Sequence, residues 1–176
     1  AVSDRALNLF PRFKAAGKEL LARLDYYKMR FYRFKGMAYI QSGDYPNALS
    51  AYQQYAVQAE KIGSVKDMGN SYTYIGYCHR ELEDFNLAYQ YAQKSLAILK
   101  DTPYKSALAN NYSIYSSYYY SVLLDIDSSN YFLKLAQKIY REEKNVVNEA
   151  VVMFGLATNF NYLYQTDSAL FYLNLV

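Results

Sequence analysis

A forty-residue period runs through most of this 176-residue chain and limits what it can fold into. Small residues mark the period twice in each unit. Gly36 is followed by Gly76, and Ala48 by Ala88, each forty residues later. Self-similarity at a fixed period of this length is the signature of stacked helical or strand repeats. The chain is therefore predicted to stack copies of one small unit, each packing on its neighbours.

The period continues to the end of the chain with one inserted residue. The matching small residues of the later units are Ser116 and Ser129, and then Ala157 and Ala169. One step in each series is 41 residues instead of 40. This shift predicts one extra residue in the turn at 124–127. Because both series shift together, chance similarity is a poor explanation.

Each unit is predicted to be a hairpin of two helices. Tyr32, Gly36 and Tyr39 have the four-residue and three-residue spacing of one helix face, in a helix over 25–41. Glycine in mid-helix costs about 1 kcal/mol relative to alanine. The recurrence of small residues at this position therefore predicts a close helix crossing, where a larger side chain would not fit.

Capping residues mark the helix starts. Asp44, Asp84 and Asp125 stand at the predicted starts of second helices, where a carboxylate can accept hydrogen bonds from unpaired backbone N–H groups. Thr102 is predicted to cap the next helix, with Pro103 in its first turn. These residues are fully explained by capping, so they are poor candidates for catalysis.

Two regions are predicted. Residues 1–24 form a capping helix or a partial repeat, interrupted or restarted at Pro11 because proline is costly inside a helix. Residues 25–176 form one domain of four helix pairs, expected to be a fragment of a longer chain. The pairs occupy about 25–64, 65–102, 103–144 and 145–176.

The pattern within 32–52 and 72–91 resembles the tetratricopeptide repeat (TPR) family. It consists of an aromatic residue, a small residue four later and an aromatic position three later, followed by an acid-capped helix with Ala and Leu. The spacing is similar to a long-helix bacterial variant with units of about 40 residues, whereas the usual unit has 34. The resemblance implies an all-α fold, a right-handed superhelical stack of antiparallel helix pairs known as a TPR-like α-solenoid.

The resemblance also implies that the first helices of the units line a concave groove that binds a ligand. Asn70 and Asn110 occupy matching positions and would hold an extended peptide backbone. Arg30 and Arg33 would attract an acidic peptide or protein segment. The candidate ligand-binding residues are Arg30, Arg33, Met37, Asn70, Thr73, Tyr77, Asn110, Ser113 and Ser117.

Few residues are candidates for a catalytic or metal-binding site. His79 is the only histidine and occupies an aromatic packing position, and Cys78 is the only cysteine. Adjacent helical residues point to different faces, so these two are not expected to act as a base and a nucleophile. No phosphate-binding glycine loop or calcium loop is present in the sequence. We expect no enzymatic activity, no catalytic or metal-ligating residue and no cofactor.

Charge and hydropathy limit the partners. The net charge is +3, and residues 1–40 carry nine Lys or Arg against three Asp or Glu. A nucleic-acid-binding region would be more basic throughout, so no nucleic acid is expected here. No apolar run approaches the roughly 20 residues that span a bilayer, so this region is expected to be soluble and not to insert into a membrane. Cytoplasm and periplasm both remain open as its location.

The leading functional hypothesis is a scaffold that binds a protein or peptide, as the sensory or assembly region of a larger bacterial regulator. The alternative is a structural scaffold that forms homo-oligomers through a tyrosine-rich surface. The chain has 23 tyrosines, and residues 112–120 contain five of them. Tyrosine is frequent at interfaces, but the same residues are also suited to packing between helices.

Overall fold

A computed structural model describes residues 2–175 of the chain, with side chains from residue 17 onward. Within this range the regular structure is entirely α-helical, and no strand is present. The helices are α1 (Val2–Gln41), α2 (Tyr45–Ile62), α3 (Val65–Glu81), α4 (Phe85–Leu99), α5 (Lys105–Ser121), α6 (Ile126–Glu142), α7 (Val146–Tyr162) and α8 (Thr166–Leu173).

Each helix packs on the next one along the chain, from α1 to α8, and α3 also packs on α5. This arrangement is that of a helical repeat, in which contacts stay between neighbours. The first helices of the pairs are α1, α3, α5 and α7, and the second helices are α2, α4, α6 and α8. The predicted all-α class is confirmed for the described residues.

Helix α1 differs from the prediction. It runs without a break from Val2 to Gln41, so the predicted interruption at Pro11 and the helix start at Asp25 are wrong. A proline removes one backbone donor, and a helix continues past it when the surrounding residues favour helix strongly. Residues 2–24 are therefore part of the same helix as the first helix of the first pair.

Capping of the second helices is confirmed. The carboxylates of Asp44, Asp84 and Asp125 each accept a hydrogen bond from the backbone N–H three residues later. The prediction for Thr102 is wrong. Its hydroxyl donates to the Leu99 carbonyl oxygen at 2.7 Å and so closes α4, while α5 starts three residues later. A threonine hydroxyl can form a hydrogen bond with the backbone of the preceding or of the following residues. Here it bonds to the last turn of the preceding helix, α4.

The predicted extra residue is confirmed, slightly ahead of its expected position. The linker from α5 to the α6 cap is 122–124, whereas two residues make the matching linkers at 42–43, 82–83 and 163–164. The insertion therefore lies in a loop and leaves both helices of the pair in register.

The residue before each second-helix cap adopts a left-handed backbone conformation. Gly43 has φ 74°, whereas Glu83, Leu124 and Tyr164 reach φ values of 60°, 53° and 57° with side chains attached. Residues other than glycine pay roughly 1–2 kcal/mol for this conformation. These three turns therefore store strain that glycine would remove.

We expect Leu124→Gly to raise the free energy of unfolding by about 0.5–1 kcal/mol, since the exposed side chain contributes little packing. Urea unfolding followed by circular dichroism measures the change. The matched control is Leu123→Gly in the same linker, where φ is not positive and glycine should destabilise. An equal decrease in the free energy of unfolding of both variants would contradict backbone strain at Leu124.

The predicted close crossings are present in two successive pairs. A Cβ added to Gly76 would lie 3.1 Å from the Ala88 backbone oxygen, so α3 and α4 touch at these two residues. In the next pair the hydroxyls of Ser116 and Ser129 lie 2.8 Å apart and share a hydrogen bond. The small residues therefore allow the helices of a pair to approach closely, as the sequence predicted.

Candidate functional site

Three adjoining cavities follow the first helices of the pairs. We call them the central cavity (≈ 390 Å³), the basic cavity (≈ 320 Å³) and the serine cavity (≈ 310 Å³). Thr73, Tyr74 and Asn110 border both the central and the basic cavity. Ser113 and Val151 border both the central and the serine cavity. The three cavities thus form one continuous depression, which we call the groove.

The central cavity has mainly apolar walls. Four first helices contribute to it, and two tyrosines reach it from second helices: Tyr52 of α2 and Tyr140 of α6. The side chains around it include Met37, Ile40, Tyr74, Tyr77, Ile114 and Val151. Pockets of this kind, with apolar walls and a few polar groups, are the usual form of a ligand site.

Gly36 explains how Tyr52 reaches the groove. A Cβ at Gly36 would lie 2.6 Å from the Tyr52 ring, so the ring occupies the space that a side chain would fill. On its other face the ring stacks on Tyr74, with centroids 4.7 Å apart. Tyr52 is thereby held between α1 and α3, and its side chain is fully buried.

The two tyrosines of the second helices differ in their hydrogen bonding. The Tyr140 hydroxyl donates to Asn110 Oδ1 at 2.6 Å. The Tyr52 hydroxyl is buried and has no hydrogen-bond partner among the described residues. Burial raises the pKa of Tyr52 above its usual range, so the hydroxyl remains protonated at neutral pH. A buried polar group without a partner costs about 1–3 kcal/mol.

Removing this hydroxyl should therefore stabilise the protein. We expect Tyr52→Phe to raise the free energy of unfolding by about 1 kcal/mol, because the ring keeps its packing and the unpaired group disappears. Thermal unfolding measures the shift. The matched control is Tyr140→Phe, which breaks the bond to Asn110 and should destabilise. A loss of stability in Tyr52→Phe would mean that its hydroxyl has a partner in solution.

The basic cavity lies between the starts of α3 and α5. Three cationic side chains border it, those of Arg33, Lys66 and Lys105, together with Asn70. Glu143 is the carboxylate among its lining residues, and it accepts a hydrogen bond from the Ser106 hydroxyl. The lining is therefore positive, and its one carboxylate is already engaged.

The neighbours of the two lysines leave their charges partly available. Lys66 Nζ lies 5.1 Å from the centroid of the Tyr104 ring, a cation–π contact that keeps the charge. Lys105 Nζ lies 3.4 Å from Glu142 Oε2, a long and exposed ion pair. Exposed pairs of this kind contribute little and are exchanged easily for another anion.

Eight of the nine candidate ligand-binding residues border the groove. The exception is Arg30, whose guanidinium carbon lies 5.9 Å and 5.4 Å from the centroids of Tyr26 and Phe34 on its own helix. The eight are Arg33, Met37, Asn70, Thr73, Tyr77, Asn110, Ser113 and Ser117.

Not all of the eight present a polar group to the groove. The Thr73 hydroxyl is buried, donating to the Gly69 carbonyl oxygen and sharing a hydrogen bond with Ser95. The Asn110 amide oxygen accepts from Tyr140. The Asn70 side chain has no hydrogen-bond partner among the described residues and is half-buried. Asn70 is therefore the asparagine best placed to bind an external backbone.

Sequence reasoning missed several groove residues. Tyr52 and Tyr140 belong to second helices, and Lys66 and Lys105 stand at helix starts, one turn before the positions that the family pattern marks. For Tyr52 a signal was present in the mid-helix glycine, Gly36, which leaves room for a ring. The sequence did not indicate which ring would fill it.

The tyrosine-rich segment packs within the chain. Tyr89 lies within 4.7 Å of Tyr115 and within 4.3 Å of Tyr118, centroid to centroid. Phe132 of α6 stacks on Tyr119 and Tyr112. This cluster joins α4, α5 and α6. The packing interpretation of these tyrosines therefore accounts for most of them.

Cys78 and His79 lie in different surroundings. Cys78 is fully buried, and burial raises the pKa of its thiol to about 12. The His79 ring stacks on Tyr91 with centroids 5.4 Å apart. Burial lowers the pKa of His79, and Asp84 opposes this effect. Both residues are engaged in packing.

Metal and membrane features can be assessed for the described part of the chain. There, no group of three or more His, Cys, Asp or Glu residues is arranged to hold a metal ion. No helix within residues 2–175 combines the length and apolar character needed to cross a bilayer.

Comparison with known proteins gives no family. No protein-family model matches the sequence, and no curated protein matches it either. The functional argument therefore depends on the groove and its residues.

Proposed function

We propose that this chain is a TPR-like α-solenoid of right-handed superhelical form that binds a peptide or protein segment in the groove. It would act as the sensory or assembly region of a larger bacterial regulator. The observation that carries the proposal is the continuity of the groove across all four helix pairs. A surface built by successive repeats suits an extended ligand, which also runs from unit to unit.

The chemistry of the groove favours a segment with an acidic residue. Arg33, Lys66 and Lys105 at the basic cavity complement a carboxylate. The Asn70 side-chain amide can both donate to and accept from a peptide backbone. The apolar walls of the central cavity supply buried area next to these polar contacts. An acidic peptide could thus form ion pairs, backbone hydrogen bonds and apolar contacts within two adjoining cavities.

Peptides selected from a random 12-residue phage library against this chain provide the test. Their dissociation constants are measured by fluorescence polarisation for wild type, Asn70→Ala and Ser113→Arg. We expect Asn70→Ala to weaken binding about tenfold and Ser113→Arg to abolish it, because the arginine fills the junction of two cavities. Raising the salt concentration should also weaken binding.

The matched control is Gln90→Arg, an exposed position on the second helix α4, which should leave the dissociation constant unchanged. Asn70→Ala is preferred to a change at Asn110, whose loss would also free the Tyr140 hydroxyl. Binding that resists both groove substitutions but falls in Gln90→Arg would move the site to the outer face.

Self-association is the second candidate function, and one feature of α1 favours it. Five large apolar side chains on α1 are between 48% and 68% exposed and follow each other at steps of four, three, four and three residues. This is the spacing of a coiled-coil seam, which packs against another helix of the same kind. The residues are Leu20, Leu24, Tyr27, Phe31 and Phe34.

Light scattering after size exclusion tests this second function. If α1 pairs with α1 of another copy, the mass doubles with rising concentration, and the double variant Leu24→Glu with Phe31→Glu stays monomeric. Tyr131→Glu, at a similarly exposed aromatic position on α6, is the control and should still form dimers. A wild-type mass that equals that of one chain at every concentration would count against self-association.

A further inference from the structure

We propose that the central cavity is a specificity pocket for one tyrosine side chain of the bound segment. The inference rests on the proposed function, because it names the residue that the groove selects. It is carried by the aromatic walls of the cavity and the unpaired Tyr52 hydroxyl, and the volume of the cavity is large enough for the ring.

The walls of the cavity suit an aromatic ring, and its volume holds such a ring together with adjoining parts of the bound segment. Its volume of ≈ 390 Å³ is near the lower end of the range of about 300–1,000 Å³ found for ligand pockets. Tyr74 and Tyr77 provide rings for offset or edge contacts, and Ile114 and Val151 provide aliphatic surface. Met37, a flexible residue on the same wall, can adjust to the shape of an incoming ring.

The polar groups of the cavity favour a hydroxyl on that ring. Arg80 is occupied, since its guanidinium binds the Glu81 carboxylate at 2.5 Å and lies 4.6 Å from the centroid of Tyr77. The Tyr140 hydroxyl already donates to Asn110. The side-chain amides of Gln41 and Asn148 also border the cavity, but the Tyr52 hydroxyl is the polar group there that is buried and has no partner among the described residues.

A ligand hydroxyl pairs with Tyr52 whichever of the two donates, because each can donate and accept. A carboxylate in the same place would lose its hydration among the mainly apolar walls of the cavity, which is unfavourable. A phenylalanine would fill the volume but leave Tyr52 unpaired. The cavity therefore discriminates in favour of tyrosine by one hydrogen bond, which is worth up to about tenfold in affinity.

The test is a double-mutant cycle between the peptide and the protein. The probes are the phage-selected 12-residue peptides and synthetic copies in which each tyrosine is replaced by phenylalanine. We expect the selected peptides to share a tyrosine whose replacement weakens binding to wild type by fivefold or more. In Tyr52→Phe the same replacement should change the dissociation constant by less than twofold.

The outcomes separate this inference from the proposed function. Peptides that depend on Asn70 but share no tyrosine, or that lose equal affinity in wild type and Tyr52→Phe, overturn the tyrosine pocket and leave groove binding intact. Peptides that are insensitive to Ser113→Arg overturn both. If Tyr52→Phe folds poorly, the comparison of tyrosine and phenylalanine peptides on wild type still decides, since equal affinities contradict the inference.

Discussion

Gly76→Leu should lower the free energy of unfolding by about 3 kcal/mol and the melting temperature by roughly 10 °C. The first atom of the new side chain would stand 3.1 Å from the Ala88 backbone oxygen and 3.2 Å from Ile114 Cδ1. A backbone atom inside α4 cannot turn away as a side chain can. The rest of the leucine would therefore push α3 and α4 apart along their crossing.

Gly17→Leu is the matched control for this experiment. Gly17 also lies within a helix, but a Cβ there would meet nothing within 4 Å. Its replacement should leave stability unchanged or raise it by up to about 1 kcal/mol, because leucine is the better helix former. Similar melting temperatures for wild type and Gly76→Leu would show that the crossing is not tight in solution.

Leu99→Ala should lower the free energy of unfolding by about 3 kcal/mol, within the range for a buried leucine. Leu99 is fully buried and packs over Gly69, where a Cβ would lie 2.3 Å from Leu99 Cγ. The neighbouring Thr73 and Ser95 hydroxyls lie within hydrogen-bond distance of each other and of the Gly69 carbonyl oxygen, and each donates one hydrogen bond within this group. These bonds resist collapse, so the cavity should persist.

Leu87→Ala supplies the comparison on the same helix, because Leu87 is 37% exposed. It should cost less than about 1 kcal/mol in urea unfolding. If Leu99→Ala lowers the free energy of unfolding as little as Leu87→Ala does, α3 must move to fill the space. The contact between Leu99 and Gly69 would then be less tightly packed than the structure indicates.

Local rules made most of the fold predictable. The period placed Gly76 against Ala88, and capping placed Asp44, Asp84 and Asp125 at helix starts, because each of these depends on a few neighbouring residues. The prediction at Pro11 was wrong because a proline raises the free energy of a helix without forbidding it, and the residues around Pro11 favour helix.

The candidate site was predictable only where it follows the repeat. Position within a first helix is enough to bring residues such as Tyr77 to the groove. Tyr52 reaches it by passing between α1 and α3, a contact that depends on tertiary packing. Arg30 fits the periodic pattern, yet its guanidinium stays over rings of its own helix. Side-chain partners of this kind cannot be read from spacing alone.

The most direct test of the central claim is to locate a bound peptide on the ¹⁵N-labelled chain by amide chemical-shift changes in NMR. The probe is a peptide selected from the random library. Binding in the groove predicts changes concentrated on α3, α5 and α7, around Tyr77, Asn110 and Val151. Changes concentrated instead on α2, α4 and α6, away from these residues, would contradict the claim that the groove is the recognition surface.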